Sequence, residues 1–208
     1  MINLSKGGRI NLSKESNNGL DKLFFGSNWG CIQHKGFLGI GGSKEAVDLD
    51  STVLMYDENK KCLGEVSYRQ LQAPGIRHSG DDRVGDTNGN DGLDNETIAV
   101  SLKDLSPRVH YLAFILNNFT HQKFGEIPYM GLRIYTADQV QTNVNIPVNN
   151  LAKFNLEDGK EGTKIVDKQA VILGVAYKKD GEWKFKAVGE FGGWYSIDSM
   201  KEPTKAFL

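Results

Sequence analysis

Proline and cysteine are scarce in this chain of 208 residues, at five and two. The two cysteines, Cys31 and Cys62, form no CxxC pair and are too few for a disulfide framework, so they read as reduced thiols. No apolar run approaches the roughly 18 residues of a membrane-spanning helix. The opening MINLSKGG lacks the apolar core of a secretory signal. These absences predict a cytoplasmic protein without a transmembrane segment. A surplus of one charge is missing too: 25 basic and 26 acidic residues leave a formal net charge of −1, which argues against a nucleic-acid partner held by bulk electrostatics. Motifs for phosphate or dinucleotide binding are absent, as is the G-x-S-x-G nucleophile elbow, so no enzyme activity is expected.

Glycine is what the chain has in quantity, with 24 residues, and helical periodicity is sparse. Period-2 alternation recurs instead, in residues 20–29, 46–56, 63–68, 97–102, 109–116, 129–135 and 151–156, then in 170–177 and 183–188 around an Asp180-Gly181 turn. In residues 46–56 the alternation sets Val47, Leu49, Val53 and Met55 on one face, and Asp48, Asp50 and Thr52 on the other. The near-duplicates Ile2–Lys6 and Ile10–Lys14, separated by Gly7-Gly8-Arg9, predict an opening β-hairpin. Short helices are expected only near Leu102–Leu105 and Tyr195–Lys201. The fold class is therefore all-β, an antiparallel β-sandwich of about ten strands with few short helices. With no linker in view, residues 1–208 read as one domain.

Residues 80–96, GDDRVGDTNGNDGLDNE, concentrate the acidity. Asp81, Asp82, Asp86, Asp91, Asp94 and Glu96 face a single base, Arg83, so this segment carries −5 and the remainder +4. Two carboxylates about 5 Å apart repel by roughly 3 kcal/mol at an effective dielectric of 20. A compact loop of six therefore calls for a neutralising cation. Ca2+ takes six to eight oxygens from carboxylates, amide carbonyls, backbone and water, and Asp86-x-Asn88-x-Asn90-Asp91-Gly92-x-Asp94-x-Glu96 approaches an EF-hand ligand ladder. Its glycine falls one place late and no helices flank it, so an EF-hand is not assigned. Zn2+ is disfavoured because no Cys or His pair lies nearby. The same composition also describes a solvated, mobile loop, and composition alone leaves both readings open.

With these residues in view, the chain resembles the TerD-domain family of bacterial tellurium-resistance and stress proteins. The resemblance rests on five ordered blocks: INLSKGGRINLSK, AVDLDSTVLMYDENKK, HSGDDRVGDTNGNDGLDNETIAVSL, FGEIPYMGLRIY and DGEWKFKAVGEFGGW. It implies a β-sandwich that binds one or two Ca2+ ions through the acidic loop and the neighbouring Asp-x-Asp strand. The implied ligands are Asp48, Asp50, Asp81, Asp82, Asp86, Asp91, Asp94 and Glu96, with Asn88 and Asn90 as carbonyl donors. It further implies a role in resistance to tellurite, phage or other stress, in assembly with other family members near the inner membrane surface. The chain departs from the family pattern in a longer acidic segment, in Asp82 where Asn is usual, in Asn117-Asn118 where His-Asp is frequent, and in its ending after Gly193.

Two other readings stay in play. A Ca2+-dependent hydrolase would use a loop carboxylate with His78, and a small-ligand module would take nucleotides or sugars on the same loop face. Direct reduction of an oxyanion is disfavoured, since two separate cysteines and no cofactor motif leave no electron donor, and the anionic loop repels tellurite.

Overall fold

Two twisted sheets face one another in the computed structural model, which describes residues 1–15, 22–36, 41–118, 122–137, 147–156 and 167–208. The first sheet has seven strands, in the order β1 (Ile2–Asn3), β13 (Asn149–Asn155), β12 (Met130–Thr136), β3 (Leu23–Trp29), β10 (Glu96–Val100), β9 (Ile76–His78), β8 (Gln72–Ala73). The second has six: β2 (Arg9–Asn11), β15 (Glu182–Gly192), β14 (Ala170–Lys179), β11 (Tyr111–Asn118), β6 (Leu49–Tyr56), β7 (Cys62–Val66). A small hairpin, β4 (Ile32–His34) with β5 (Ser43–Glu45), stands apart. Among the described residues every pairing of named strands is antiparallel except β1 with β13. Of the fifteen strands described, the nine with five or more residues are those the alternation predicted. The β14–β15 turn takes the two-residue form expected of Asp-Gly, with positive φ at both Asp180 and Gly181.

The main core lies between the sheets. Phe25 of the first sheet stacks on Phe114 of the second with ring centroids 3.9 Å apart, and Phe185 tilts against both. A second, smaller core covers the outer face of the six-stranded sheet. There Leu54, Tyr56, Ile115 and Ile172 pack under α2 (Ile197–Thr204), which contributes Ile197 and Met200. Strand β6 serves both cores because its side chains alternate: Leu49, Val53 and Met55 point into the main core, Leu54 and Tyr56 into the second. Asp50 and Thr52 share that outer face, as the sequence pattern required.

Two local expectations are overturned. The near-duplicate at the N-terminus is not a hairpin: β1 adds to β13 in one sheet, whereas β2 adds to β15 in the other. The chain crosses between sheets at Gly7, whose φ of +84° suits glycine and whose N–H donates to Ala187 O. Leu4, Ile10 and Leu12 all enter the shared core, so burial on both sides outweighs the local hairpin. The second copy ends in one helical turn, α1 (Leu12–Glu15). Leu102–Leu105 forms turns rather than a helix, whereas α2 covers most of the second expected helix. The glycine-rich stretch from Gly36 to Gly42 reads as loop in the sequence, and residues 37–40 of it lie outside the described residues.

Candidate metal centre

The acidic segment leaves β9 at His78 and returns as β10 at Glu96, so it bridges two adjacent strands of the seven-stranded sheet. Its carboxylates divide into two sets.

One set is engaged by the protein's own donors. Glu96 is fully buried: Oε2 accepts the Ser51 N–H at 2.7 Å and Oε1 the Asp82 N–H at 3.2 Å. Burial pushes its carboxyl above the ordinary range, opposed by His78 and these two amides. Asp82 accepts the N–H groups of Val84 and Gly85 on Oδ1 and the Asn95 amide on Oδ2. Asp86 accepts the same Asn95 amide and, at 2.6 Å, the Tyr129 hydroxyl. Asp94 points to the far face of β3, where it is 4% exposed and pairs with Arg133 at 2.6 Å. It lies directly over Gly26, where a Cβ would overlap its carboxylate. Asp91 and Asn90 close local turns on the Leu93 and Gly92 amides, and Asn88 accepts from Lys44 at 2.9 Å.

The other set is poorly supplied with donors. Asp48, just before β6, Asp50 within it, and Asp81 from the loop place carboxylate oxygens within 4.8 Å of one another. Asp48 and Asp50 are buried, at 6% and 2% exposure, while Asp81 is exposed. Among the described residues the Oδ1 of Asp48 has no hydrogen-bond partner, and its Oδ2 has only the Arg83 Nε at 3.7 Å, from a side chain that is mostly exposed. Asp50 accepts one bond, from Asn117 Nδ2 at 3.2 Å across the β6–β11 pair. Burial, then the neighbouring charges of Glu96, Asp48 and Asp81, push its carboxyl up to about 7. Asp48 is likewise raised, mainly by burial and then by Asp81. An orphaned buried carboxylate oxygen inside a group of hard oxygen donors suits Ca2+ or Mg2+, and with no imidazole or thiolate in the group it does not suit Zn2+.

Of the ten residues read from sequence, the structure thus brings Asp48, Asp50 and Asp81 together. It gives Asp82, Asp86, Asp94 and Glu96 protein partners, and leaves Asn88, Asn90 and Asp91 outside the three-carboxylate group. Sequence reasoning missed Asn95, which joins Asp82, Asp86 and the Trp29 N–H, and the pairing of Tyr129 and Arg133 with loop acids. No local spacing signals Tyr129 and Arg133, because they lie some 40 residues along the chain, just before and within β12, and meet the loop only after folding. His78 is also defined. The Gly80 N–H donates to its Nδ1, so the proton sits on Nε2 and is given to Ser51 O at 3.0 Å, with Glu96 3.4 Å away. Buried with both ring nitrogens occupied, this imidazole is not placed as a general base.

Comparison with known proteins agrees with this architecture. The TerD domain model matches residues 1–194. The tellurium resistance protein TerZ of Serratia marcescens is 31% identical over 203 residues, covering 96% of this chain and 95% of that protein. Stress response protein SCP2 of Bacillus subtilis is 31% identical over 200 residues, covering 91% and 92%. Among solved structures, a homologue of telluride resistance protein (TerD) from Streptomyces coelicolor A3(2) superimposes with a TM-score of 0.58. It is 16% identical and covers 86% of this chain and 92% of its own, a likeness of fold. No described helix is long and apolar enough to cross a membrane. The family match over nearly the whole chain and the two relatives above 30% identity make the chain a member of the TerD-domain family of tellurium-resistance and stress-response proteins.

Proposed function

We propose that this TerD-family chain is a non-enzymatic, cytoplasmic Ca2+-binding protein, acting over residues 1–208 as one unit in tellurite and general stress resistance alongside other members of its family. The observation that carries this reading is the Asp48–Asp50–Asp81 group, two of whose members are buried and one of which holds an oxygen with no partner. Three carboxylates within 4.8 Å repel by about 3 kcal/mol per ionised pair at an effective dielectric of 20, and a divalent ion removes that cost. Asp48, Asp50 and Asp81 would hold the ion, with water and backbone oxygens filling the coordination that Ca2+ requires. The ion supplies charge neutralisation. The protein's residues do the rest: Glu96, bonded to the amides of Ser51 and Asp82, ties β6 to the start of the loop that carries Asp81. Ion binding is thereby linked to the shape of residues 80–86, the surface a family partner would read.

The position of His78 supports the non-enzymatic reading over a hydrolase, and resistance is then indirect rather than chemical reduction of tellurite. Calorimetric titration with Ca2+ and Mg2+, paired with thermal melts, tests the proposal. With a Kd of about 1 µM, 100 µM Ca2+ adds about 2.7 kcal/mol to stability. Absence of both heat and thermal shift at millimolar Ca2+ rejects it.

A further inference from the structure

A cleft of about 300 Å³ opens on the outer face of the six-stranded sheet, at the end where Asn117 leaves β11. One wall is the turn after β7, with Tyr68 and Arg69; the other is the segment Tyr195–Asp198 that leads into α2. That second wall lies just past residues 1–194, which the family model matches. This C-terminal segment is firmly seated. Ser196 caps α2, Tyr56 donates to Lys201 O at 2.9 Å, and Met200 is fully buried.

Three groups in the cleft have unused binding capacity. At its buried end, Asn117 is 7% exposed; its Nδ2 is committed to Asp50, and its Oδ1 has no partner among the described residues. That oxygen requires an N–H or O–H donor, and a buried acceptor without one costs roughly 1–3 kcal/mol. On the rim, Arg69 is held by Tyr68, through Nε to the hydroxyl at 2.7 Å and the guanidinium 5.2 Å from the ring centroid. Its charge forms no ion pair among the described residues. Glu65 and Asp198 both pair with Lys201, at 2.9 and 2.6 Å, and Asp198 acts on Arg69 only at longer range. Tyr195 is 74% exposed and presents a large planar ring.

A buried acceptor, a flat aromatic surface and a guanidinium left over for an anion together describe one kind of small molecule. We propose that the cleft binds a nucleoside monophosphate: a planar heterocycle stacked at Tyr195, its ring N–H or amino group donating to Asn117 Oδ1, and its phosphate on Arg69. The volume sits at the small end of ligand sites, about 300–1,000 Å³, which admits one ring system. Stacking on an aromatic residue contributes about 1–3 kcal/mol per base, and Arg–phosphate contacts add directional strength.

The test is calorimetric titration of the full chain with AMP, GMP, CMP and UMP, and with adenosine and inorganic phosphate, all in chelator so that the outcome is independent of Ca2+. At least one nucleotide binds with Kd below about 1 mM, and nucleoside or phosphate alone binds at least about tenfold more weakly. Tyr195→Ala and Arg69→Ala each weaken that nucleotide by about tenfold or more, with melting temperatures unchanged because both side chains are exposed. Failure of all four nucleotides to bind at millimolar concentration overturns the proposal. So does equal binding by phosphate alone, or affinity that both variants leave intact.

Discussion

The carboxylates around the acidic loop fall into two populations that sequence cannot separate. Asp82, Asp86, Asp94 and Glu96 each find donors within the protein, whereas Asp48, Asp50 and Asp81 share one amide and a distant guanidinium among them. The first population holds the loop to the sandwich, and the second concentrates charge without an internal remedy. Counting acids in the string treats the two alike, and the repulsion argument for a bound cation is strong only where donors are missing. Residues 82–96 need no ion to satisfy their carboxylates. The case for one rests on a single corner beside β6, the Asp48–Asp50–Asp81 group.

The largest effect should come from attacking the first population. Arg133→Met leaves Asp94 buried without its ion-pair partner, and removal of one member of such a pair costs about 3–5 kcal/mol. A urea melt should show that loss, while the Ca2+ affinity of the folded fraction stays within about twofold of wild type. If Ca2+ binding vanished too, the two populations would be one site. Adding Asp94→Asn to Arg133→Met should return part of the stability, since the stranded charge is then gone.

Next comes pH, with different slopes in the two ionic conditions. Asp50 has its carboxyl raised from 3.8 to about 7 by burial and by Glu96, Asp48 and Asp81. Between about pH 4 and 7 the folded state therefore holds a proton that the unfolded state has released. Without Ca2+, stability must fall as pH rises through that window, by an amount on the order of 3–4 kcal/mol at most. The raised carboxyls of Asp48 and Glu96 act in the same direction. With Ca2+ in excess the ion takes the proton's place, so the stabilisation it confers should grow from pH 5 to pH 7.5. Thermal melts with and without chelator read both slopes; parallel slopes would mean that the ion does not sit at Asp50.

A somewhat smaller effect isolates the second population by itself. Asp81→Ala removes an exposed carboxylate that makes no hydrogen bond among the described residues, so the ion-free protein should be unchanged or slightly more stable. The same change should abolish the Ca2+-dependent gain of about 2.7 kcal/mol expected at 100 Kd. Asp82→Ala gives the contrast: it loses the turn bonds to Val84 and Gly85 and lowers stability with or without the ion.

Much of the sandwich was legible because alternation is a local property. Residues 46–56 assign every side chain of β6 to a face, and Asp180-Gly181 specifies its own turn. The opening repeat misled for the complementary reason. Ile2–Asn3 and Arg9–Asn11 carry strand periodicity but no record of which sheet each will join, and only the partners β13 and β15 decide that. The three-carboxylate group was half legible. Asp48 and Asp50 announce themselves as alternate residues on one face of a mostly apolar run, and Asp81 heads the acidic run. The donors that disarm Asp86 and Asp94 sit some 40 residues downstream, at Tyr129 and Arg133.

The smallest effect concerns Arg83, the one base within residues 80–96. Its Nε lies 3.7 Å from Asp48, and the side chain is otherwise largely in solvent, so it behaves as a tethered counter-ion over the three carboxylates. Exposed pairs of this kind contribute at most about 1 kcal/mol. Arg83→Gln should therefore lower ion-free stability by less than about 1 kcal/mol. Because a divalent ion has to displace that guanidinium or share Asp48 with it, the same substitution should tighten Ca2+ by roughly three- to fivefold, the equivalent of that energy. The gain should shrink at high salt, where the tether is already screened. Titration of Arg83→Gln at low and high ionic strength measures all of this. Weaker Ca2+ binding in the variant would place Arg83 on the side of the loop's structure instead, making it a member of the donor-supplied population.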